Sequence, residues 1–262
     1  MAVGAPVDAR CSYSLPHYRH ILRRAKERYW LPTVQEVAFG VPARDFLLIR
    51  HDVDISPPAA LDLARLETEE GVATTYYFRL HAPTYNLLEP RATAILHEVA
   101  SLGHEVGLHY EPGYFLDRGL DPVEGIRRDI RIFEELLGRP TRTISQHQPA
   151  QGPLLTAISA AHACAYQEAL VRKIPYFGDS GFHWREGCVC TKFHLPRLHT
   201  LIHPHSWTLG ERPWREVLRA HAGELAGRLR AEMEDYIRSV EVYLANRAVL
   251  DEERERRYGG KS

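Results

Sequence analysis

The sequence predicts an α/β fold in which parallel strands alternate with crossover helices. Short apolar runs rich in β-branched and aromatic residues alternate along the chain with amphipathic segments of helical length, which is the pattern of parallel βαβ units. The 262 residues are enough for one large core of the α/β-barrel kind. We therefore expect a single domain that comprises residues 1–262.

The first strand is predicted at residues 46–49, an apolar run without helical period that is typical of a strand buried on both faces. It is followed by His51, Asp52 and Asp54. Because side chains two residues apart in a strand point the same way, Asp52 and Asp54 should project together. Two converging carboxylates predict a site for a hard cation, or a base beside a cation, and capping of the following helix is the simpler alternative.

The remaining elements follow from periodicity and from start and stop signals. One helix begins after Ser56 and stops at Gly71, and another begins after Asp121. In chain order, the predicted helices span residues 17–30, 57–71, 89–102, 122–137, 154–160 and 211–250, the last of them broken or bent. Further strands are predicted at residues 72–80, 103–109, 142–145, 164–166, 189–191 and 198–202.

The composition argues against several classes of function. Apolar residues make up 44% and charged residues 26% of the chain, the balance of an ordinary soluble globular protein. With 33 basic and 34 acidic residues, the chain lacks the charge excess of proteins that bind nucleic acid or anionic membranes, so neither partner is expected. No window reaches the length of a membrane span and residues 1–10 do not resemble a secretory signal, so we expect a cytoplasmic protein.

The four cysteines form no recognisable disulfide framework in a chain of this length. Cys188 and Cys190 could place two thiolates on one face of a strand. Without a second pair of this kind in the sequence, we expect buried or free thiols rather than a structural metal site.

Histidines are concentrated where the chain leaves predicted strands. There are 15 in all, and those at strand ends are His51, His81, His109, His147, His203 and His205. A lone histidine is usually structural, but a series at the carboxyl ends of parallel strands is better explained by one shared site.

Four motifs occur in the order found in NodB-type polysaccharide deacetylases, a carbohydrate esterase 4-like family, and the chain resembles that family over residues 45–207. They are R-H-D-V-D at 50–54, G-H-E-V-G-L-H at 103–109, D-S-G-F-H-W-R at 179–185 and L-I-H-P at 201–204. The resemblance is closer to a divergent branch with an H-D-V-D motif than to secreted chitin or peptidoglycan deacetylases. It implies a distorted (β/α) barrel of about seven parallel strands, here with an extra N-terminal helix and a long C-terminal helical region.

The resemblance also implies roles for individual residues. Asp52 corresponds to the general base and His203 to the general acid or oxyanion partner. Asp54 and His109 correspond to metal ligands. The side chains expected in the substrate groove are Asp179, Trp184 and Arg185, to which we add His205 because it lies two residues after His203. Asp179 and Arg185 could instead pair with each other, and Trp184 could belong to the core.

The chain departs from the family pattern at two places. The family has a further histidine four residues after the position of His109, where this chain has Gly113, and its arginine-bearing motif is replaced by S-Q-H-Q-P at 145–149. The expected third metal ligand is therefore His147, from the adjacent strand, with Glu111 as the second candidate.

The predicted activity is the metal-dependent hydrolysis of an amide, such as N-deacetylation, on a sugar or related small-molecule substrate. We expect a divalent metal, zinc in the first place, with iron, cobalt or nickel as alternatives. Two other functions stay open: hydrolysis of a different C–N bond (carbamoyl, formyl or cyclic amide), and an inactive barrel that binds a carbohydrate. The sequence does not determine the acyl group, the scaffold or the oligomeric state.

Overall fold

The computed structural model describes residues 11–149, 158 and 161–259, and its centre is a curled half-barrel sheet of parallel strands. The strands are β1 (Phe46–Val53), β2 (Thr75–Phe78), β3 (Glu105–Tyr110), β4 (Thr143–Gln146), β5 (Ala163–Cys164), β6 (Tyr176–Gly178) and β7 (Arg197–Ile202). Their order in the sheet is β5-β4-β3-β2-β1-β7-β6, so β1 is a central strand and pairs with both β2 and β7. The predicted fold class, a distorted α/β barrel of about seven parallel strands, is confirmed.

Helices flank this sheet, and a long helix follows in the C-terminal part of the chain. They are α1 (Leu15–Lys26), α2 (Val34–Ala38), α3 (Pro57–Glu69), α4 (Pro90–Ser101), α5 (Pro112–Leu116), α6 (Pro122–Leu137), α7 (Glu168–Val171) and α8 (Trp214–Tyr258). The predicted caps are present: the Ser56 hydroxyl accepts a hydrogen bond from the Ala59 amide, and the Asp121 carboxylate accepts one from the Val123 amide. Gly71 has a φ of 69°, as a helix stop of this kind requires.

Some elements differ from the sequence-based predictions. Residues Val189–Lys192 form a 3₁₀ helix and not a strand, because the Cys188 carbonyl accepts local hydrogen bonds from Thr191. The C-terminal helix α8 is continuous over 45 residues and not broken. The short elements α2 and β6 were not predicted. The helix predicted at residues 154–160 lies, apart from Ile158, outside the described residues.

The chain divides after Val217 into two compact units. The second unit belongs to α8, which carries exposed apolar side chains such as Leu229, Tyr236 and Tyr243. The interpretation of residues 1–262 as a single domain stays a prediction. Over the described ranges, no helix combines the length and the apolar character that a membrane span requires.

The two faces of the sheet carry separate apolar clusters. Phe46 and Leu48 of β1 pack inside the curl with Tyr77 and with Val34 of α2. Residues Leu47, Ile49 and Val53 belong to the larger cluster between the sheet and the outer helices. Successive residues of β1 therefore point alternately into the curl and away from it, as a strand requires.

A buried carboxylate, Glu67 of α3, holds the outer face of β1 against two helices. Glu67 is fully buried, and its Oε1 lies 2.7 Å from His51 Nε2 and accepts a hydrogen bond from the Tyr18 hydroxyl of α1. Its Oε2 accepts hydrogen bonds from Tyr76 (2.6 Å) and Thr74 (2.8 Å). His51 is therefore a structural residue on the face of β1 opposite Asp52 and Asp54.

The substitution Glu67→Gln should lower the free energy of unfolding by about 3 kcal/mol at pH 7, because it replaces a buried carboxylate on which four hydrogen-bond partners converge. Burial raises the pKa of Glu67, but its interactions with His51, His104 and Tyr18 together outweigh burial and lower the pKa to about 2. A depressed pKa in the folded state means that this stabilisation is complete above pH 4.5 and is lost as the pH falls through 2. Urea unfolding curves recorded across this pH range measure the effect.

The matched control is Glu69→Gln, an exposed position on the same helix, which should change the stability by less than about 0.5 kcal/mol. Equal acid sensitivity of the wild type and Glu67→Gln would contradict the role of Glu67.

Candidate active site

Polar side chains from four strand ends converge inside the curl of the sheet. Arg50, Asp52 and Asp54 are two residues apart along β1 and its end, and their side chains point into the curl. His109 lies opposite Ser145 in the β3–β4 register and therefore points to the same side as Ser145. His147 follows β4, and His203 follows β7. The predicted convergence at the carboxyl ends of parallel strands is thus what the structure shows for these residues.

Asp54, His109 and His147 form a nearly equilateral triangle of ligand atoms. Asp54 Oδ1 lies 3.3 Å from His109 Nε2 and 3.2 Å from His147 Nδ1, and the two imidazole nitrogens are 3.3 Å apart. Ligands at about 2.0–2.2 Å from a tetrahedral zinc ion lie about 3.3–3.5 Å from one another. These three side chains could hold a metal ion, as predicted; the identity of the metal is not indicated.

Two further observations fit a cation at this triangle. Asp54 Oδ1 is buried and makes no hydrogen bond with the described residues, although two imidazole nitrogens lie within 3.3 Å of it. His109 Nδ1 lies 3.0 Å from the Ser145 carbonyl oxygen, which can only accept, so Nδ1 carries a proton and Nε2 is the nitrogen available to coordinate an ion at the triangle.

The charge state of Asp54 also suits a ligand. Burial by itself raises the pKa of this carboxyl, but the adjacent imidazoles of His109 and His147, together with the charge of His203, hold the pKa well below its usual range. A carboxylate that stays ionised is the form that coordinates a divalent cation.

Asp52 is buried beside the triangle and is held by an arginine. Its Oδ1 accepts a hydrogen bond from Arg50 Nη1 (3.3 Å) and lies 3.4 Å from the Ser145 hydroxyl. Its Oδ2 faces His109 Nε2 at 3.6 Å. One oxygen is thus fixed by the protein and the other is directed at the candidate metal site.

His203 is oriented by a buried aspartate. Asp179 Oδ1 lies 2.6 Å from His203 Nδ1, and the carboxylate also accepts hydrogen bonds from the His203 amide and from Trp207 Nε1 (2.8 Å). Burial lowers the pKa of His203, but the charge and hydrogen bond of Asp179, together with the charges of Asp54 and Asp52, outweigh burial and raise the pKa to about 9. His203 is therefore protonated at neutral pH, with its Nε2 3.6 Å from Asp54 Oδ2.

A cavity of about 420 Å³ opens onto these residues. This volume is in the range of small-molecule sites, roughly 300–1,000 Å³. Its lining includes Asp52, Asp54, His109, His147 and His203, together with Gln148, Tyr166, Tyr176, Ser180, Arg185 and Glu186. Gln148 has a φ of 48°, a strained backbone conformation of the kind that is common at functional sites.

The four residues predicted to contact substrate occupy different places. Arg185 is exposed and lines the cavity. Asp179 is fully buried behind His203, with which it pairs, and Trp184 packs partly buried against the core, stacked on Tyr13. His205 is buried, with its ring 5.8 Å from that of His203. Asp179 therefore lies behind His203, where it orients the imidazole, and does not line the cavity.

Glu111, the second candidate for the third ligand, is engaged elsewhere. Its Oε1 accepts hydrogen bonds from Arg79 Nη2 (2.5 Å) and Nε (3.1 Å), and its Oε2 accepts one from the His81 amide. Gly113, which replaces the histidine of the family pattern, lies in α5. His147 is the side chain that completes the donor triangle, from a neighbouring strand.

Sequence reasoning missed Arg50 as a site residue. Arg50 is fully buried; besides Asp52, it donates to the Ser145 hydroxyl (2.5 Å) and to Tyr176 (3.1 Å), and its guanidinium lies over the Tyr166 ring. The sequence did contain a signal for this residue. Arg50 lies two residues before Asp52, so both side chains point to the same face of the strand, and a buried arginine needs an acidic partner.

No protein-family model matches the chain, and no curated protein is significantly similar to it. The resemblance to NodB-type deacetylases therefore stays a prediction carried by the motifs.

Replacing His147 by Ala should reduce the divalent-metal content of the purified protein by one equivalent per chain, because two remaining ligands cannot hold the ion. The affinity loss should exceed the roughly 10–100-fold typical of removing a residue that only supports a ligand. Elemental analysis and competition with a chromophoric chelator measure both quantities.

The control is Glu111→Gln, which should retain the metal. If Glu111→Gln loses the ion and His147→Ala keeps it, then Glu111 is the third ligand and our assignment is wrong.

Proposed function

We propose that this protein is a metal-dependent amidohydrolase that removes an N-acyl group, such as acetyl, from a sugar or a related small molecule. The observation that supports the proposal most directly is the donor triangle of Asp54, His109 and His147, flanked on one side by the arginine-held Asp52 and on the other by the aspartate-held His203. This arrangement contains the groups that amide hydrolysis needs: ligands for a Lewis acid, a base and an acid.

Asp54, His109 and His147 would hold the metal. A bound divalent ion supplies a Lewis acid that polarises the amide carbonyl and makes a water molecule easier to deprotonate. One carboxylate and two imidazoles form a ligand set that suits zinc and also iron, cobalt or nickel. His147 supplies a third donor in place of the histidine that the family pattern has at the position of Gly113, which supports a complete site and weakens the alternative of an inactive barrel.

Asp52 is the proposed general base. Its Oδ1 is held by Arg50, so Oδ2 keeps a fixed direction toward the triangle, 3.6 Å from His109 Nε2. In this position the carboxylate can accept the proton of the attacking water. Catalysis by a positioned base contributes roughly 10²–10⁴-fold to the rate of such reactions.

His203 is the proposed general acid. Asp179 keeps it protonated at neutral pH and fixes its ring, so Nε2 can deliver its proton to the leaving nitrogen. The proton taken up by Asp52 and the proton given by His203 balance, and the products are a free carboxylic acid and an amine. Asp179 acts through His203 and is a positioning residue.

The cavity supports a small polar substrate. Its volume of about 420 Å³ admits one or two sugar rings, and Tyr166 and Tyr176 offer aromatic surfaces beside the polar groups of Gln148 and Arg185. We propose Arg185 as the substrate contact among the four predicted residues. The cytoplasmic location inferred from the sequence stays a prediction.

The substitution Asp52→Asn should reduce kcat by roughly 10²–10⁴-fold while the metal content stays unchanged, because the amide keeps the shape of the carboxylate but cannot accept the proton. Acetate release from a panel of N-acetylated monosaccharides and sugar nucleotides measures the activity, and elemental analysis measures the metal.

Full activity of Asp52→Asn would remove Asp52 from the base role. A metal-loaded wild type that binds members of the panel without hydrolysing them would instead favour the inactive carbohydrate-binding barrel.

Asp179→Asn should shift the alkaline limb of the pH profile of kcat to lower pH by about 1–3 units, since removal of an adjacent negative charge lowers the pKa of His203. The sign follows from the role: a general acid is active only below its pKa, and Asp179 raises that pKa to about 9.

Glu186→Gln removes the same charge from the cavity wall and is the matched control, for which we expect a much smaller shift. An alkaline limb that does not move in Asp179→Asn would show that His203 is not the group that titrates there.

A further inference from the structure

A second cluster of metal-ligating side chains lies outside the candidate active site. Its members are Cys11, His17, Cys188 and Cys190, and each of their ligand atoms lies within 4.8 Å of the other three. Cys11 precedes α1 and His17 is in its first turn, whereas Cys188 and Cys190 lie at the start of the 3₁₀ helix Val189–Lys192. Two segments distant in sequence thus contribute two ligands each.

The separations match a tetrahedral zinc site. Cys11 Sγ lies 3.4 Å from Cys190 Sγ, and His17 Nε2 lies 3.4 Å from Cys188 Sγ and 3.9 Å from Cys190 Sγ. With Zn–S of about 2.3 Å and Zn–N of about 2.0 Å, tetrahedral geometry places two sulfurs about 3.8 Å apart and a sulfur and a nitrogen about 3.5 Å apart. The sulfurs are not bonded to each other, since a disulfide bond is about 2.05 Å long.

The ligand types select the metal and the kind of site. Three thiolates and one imidazole form a soft donor set that favours zinc over hard cations such as magnesium or calcium. Four protein ligands leave no open position for water or substrate, which distinguishes structural zinc sites from catalytic ones. Cys188 is buried and the other three side chains are partly buried, so the cluster is shielded from solvent.

The cluster adjoins the support of His203. The His17 ring stacks on Trp207 with a centroid distance of 6.1 Å and an interplanar angle of 9°, and Trp207 donates the hydrogen bond that helps to hold Asp179. Tyr13, two residues after Cys11, stacks on Trp184 in the loop that carries Arg185 to the cavity.

We infer that Cys11, His17, Cys188 and Cys190 form a structural zinc site that fastens the segment before α1 to the loop between β6 and β7. On binding, the cysteines enter as thiolates, and their protons are released to solvent. This loop begins at Asp179 and contains Arg185 at the cavity. The ion would therefore stabilise the segment that holds His203 in place through Asp179 and Trp207. The inference rests on the cluster itself and not on the proposed hydrolase activity.

The test uses the full-length protein expressed with zinc and purified without chelators under reducing conditions. Elemental analysis of Cys190→Ser should give one equivalent of zinc per chain less than the wild type, and His17→Gln should show the same loss. The matched controls are Cys164→Ser and His20→Gln, which replace a cysteine outside the cluster and an exposed histidine on the same helix, and both should keep the wild-type content.

A second measurement needs no substitution. Titration of the wild type with a mercurial thiol reagent, followed with a zinc-sensitive dye, should release one equivalent of zinc as the cluster thiols react. In cobalt-substituted protein, the cluster should produce the near-ultraviolet charge-transfer absorption of cobalt thiolates, which the oxygen and nitrogen ligands of the Asp54 site cannot produce.

Three results would overturn the inference: equal zinc content in the wild type and Cys190→Ser, a cobalt derivative without thiolate absorption, or a metal-free protein in which Cys11 and Cys190 are joined as a disulfide. Loss of zinc in His147→Ala but not in Cys190→Ser would leave the proposed hydrolase site standing alone. The reverse result would leave the structural site standing and the catalytic metal refuted.

Discussion

The alternation of side chains along β1 is the constraint on which the rest of the structure depends. One parity directs Arg50, Asp52 and Asp54 into the curl of the sheet, where a guanidinium and two carboxylates follow one another along a single strand. The other parity directs His51 outward to the buried carboxylate Glu67, which binds α1 and α3 to the sheet. A slip of one residue in the register of β1 would exchange the two sets. It would remove the polar side chains from the curl and break the contact between His51 and Glu67.

Sequence reasoning predicted the fold and the convergence of the polar strand-end side chains for the same physical reason. The carboxyl ends of parallel strands lie at one edge of the sheet, so residues at strand ends, such as Asp54, His109 and His203, can be predicted to lie close together. Sequence reasoning preferred His147 to Glu111 as the third metal ligand but could not decide between them. The sequence does not show that the Glu111 carboxylate accepts hydrogen bonds from Arg79.

The contacts that sequence reasoning missed join distant segments. Cys11 and Cys190 are 179 positions apart, and the CxC motif alone does not reveal the approach of α1. The 3₁₀ helix at Val189–Lys192 was mistaken for a strand because its apolar and β-branched residues suit both structures, and local hydrogen bonds to Cys188 decided between them. The place of Asp179 behind His203 was missed likewise, because the motif does not show that Asp179 is buried.

The order of the strands shows that the geometry of the donor triangle depends on the curl of the sheet. Asp54 follows β1 and His147 follows β4, and three strand spacings of about 4.8 Å would put these strands about 14 Å apart in a flat sheet, yet their ligand atoms are 3.2 Å apart. Only the curl of the sheet closes this gap. Gly107 permits close packing in the curl, because a side chain there would collide with the Thr143 carbonyl and the Tyr77 ring. If the triangle holds the proposed ion, its affinity depends on the curvature of the sheet, so a core substitution that flattens the barrel would weaken ion binding without changing Asp54, His109 or His147.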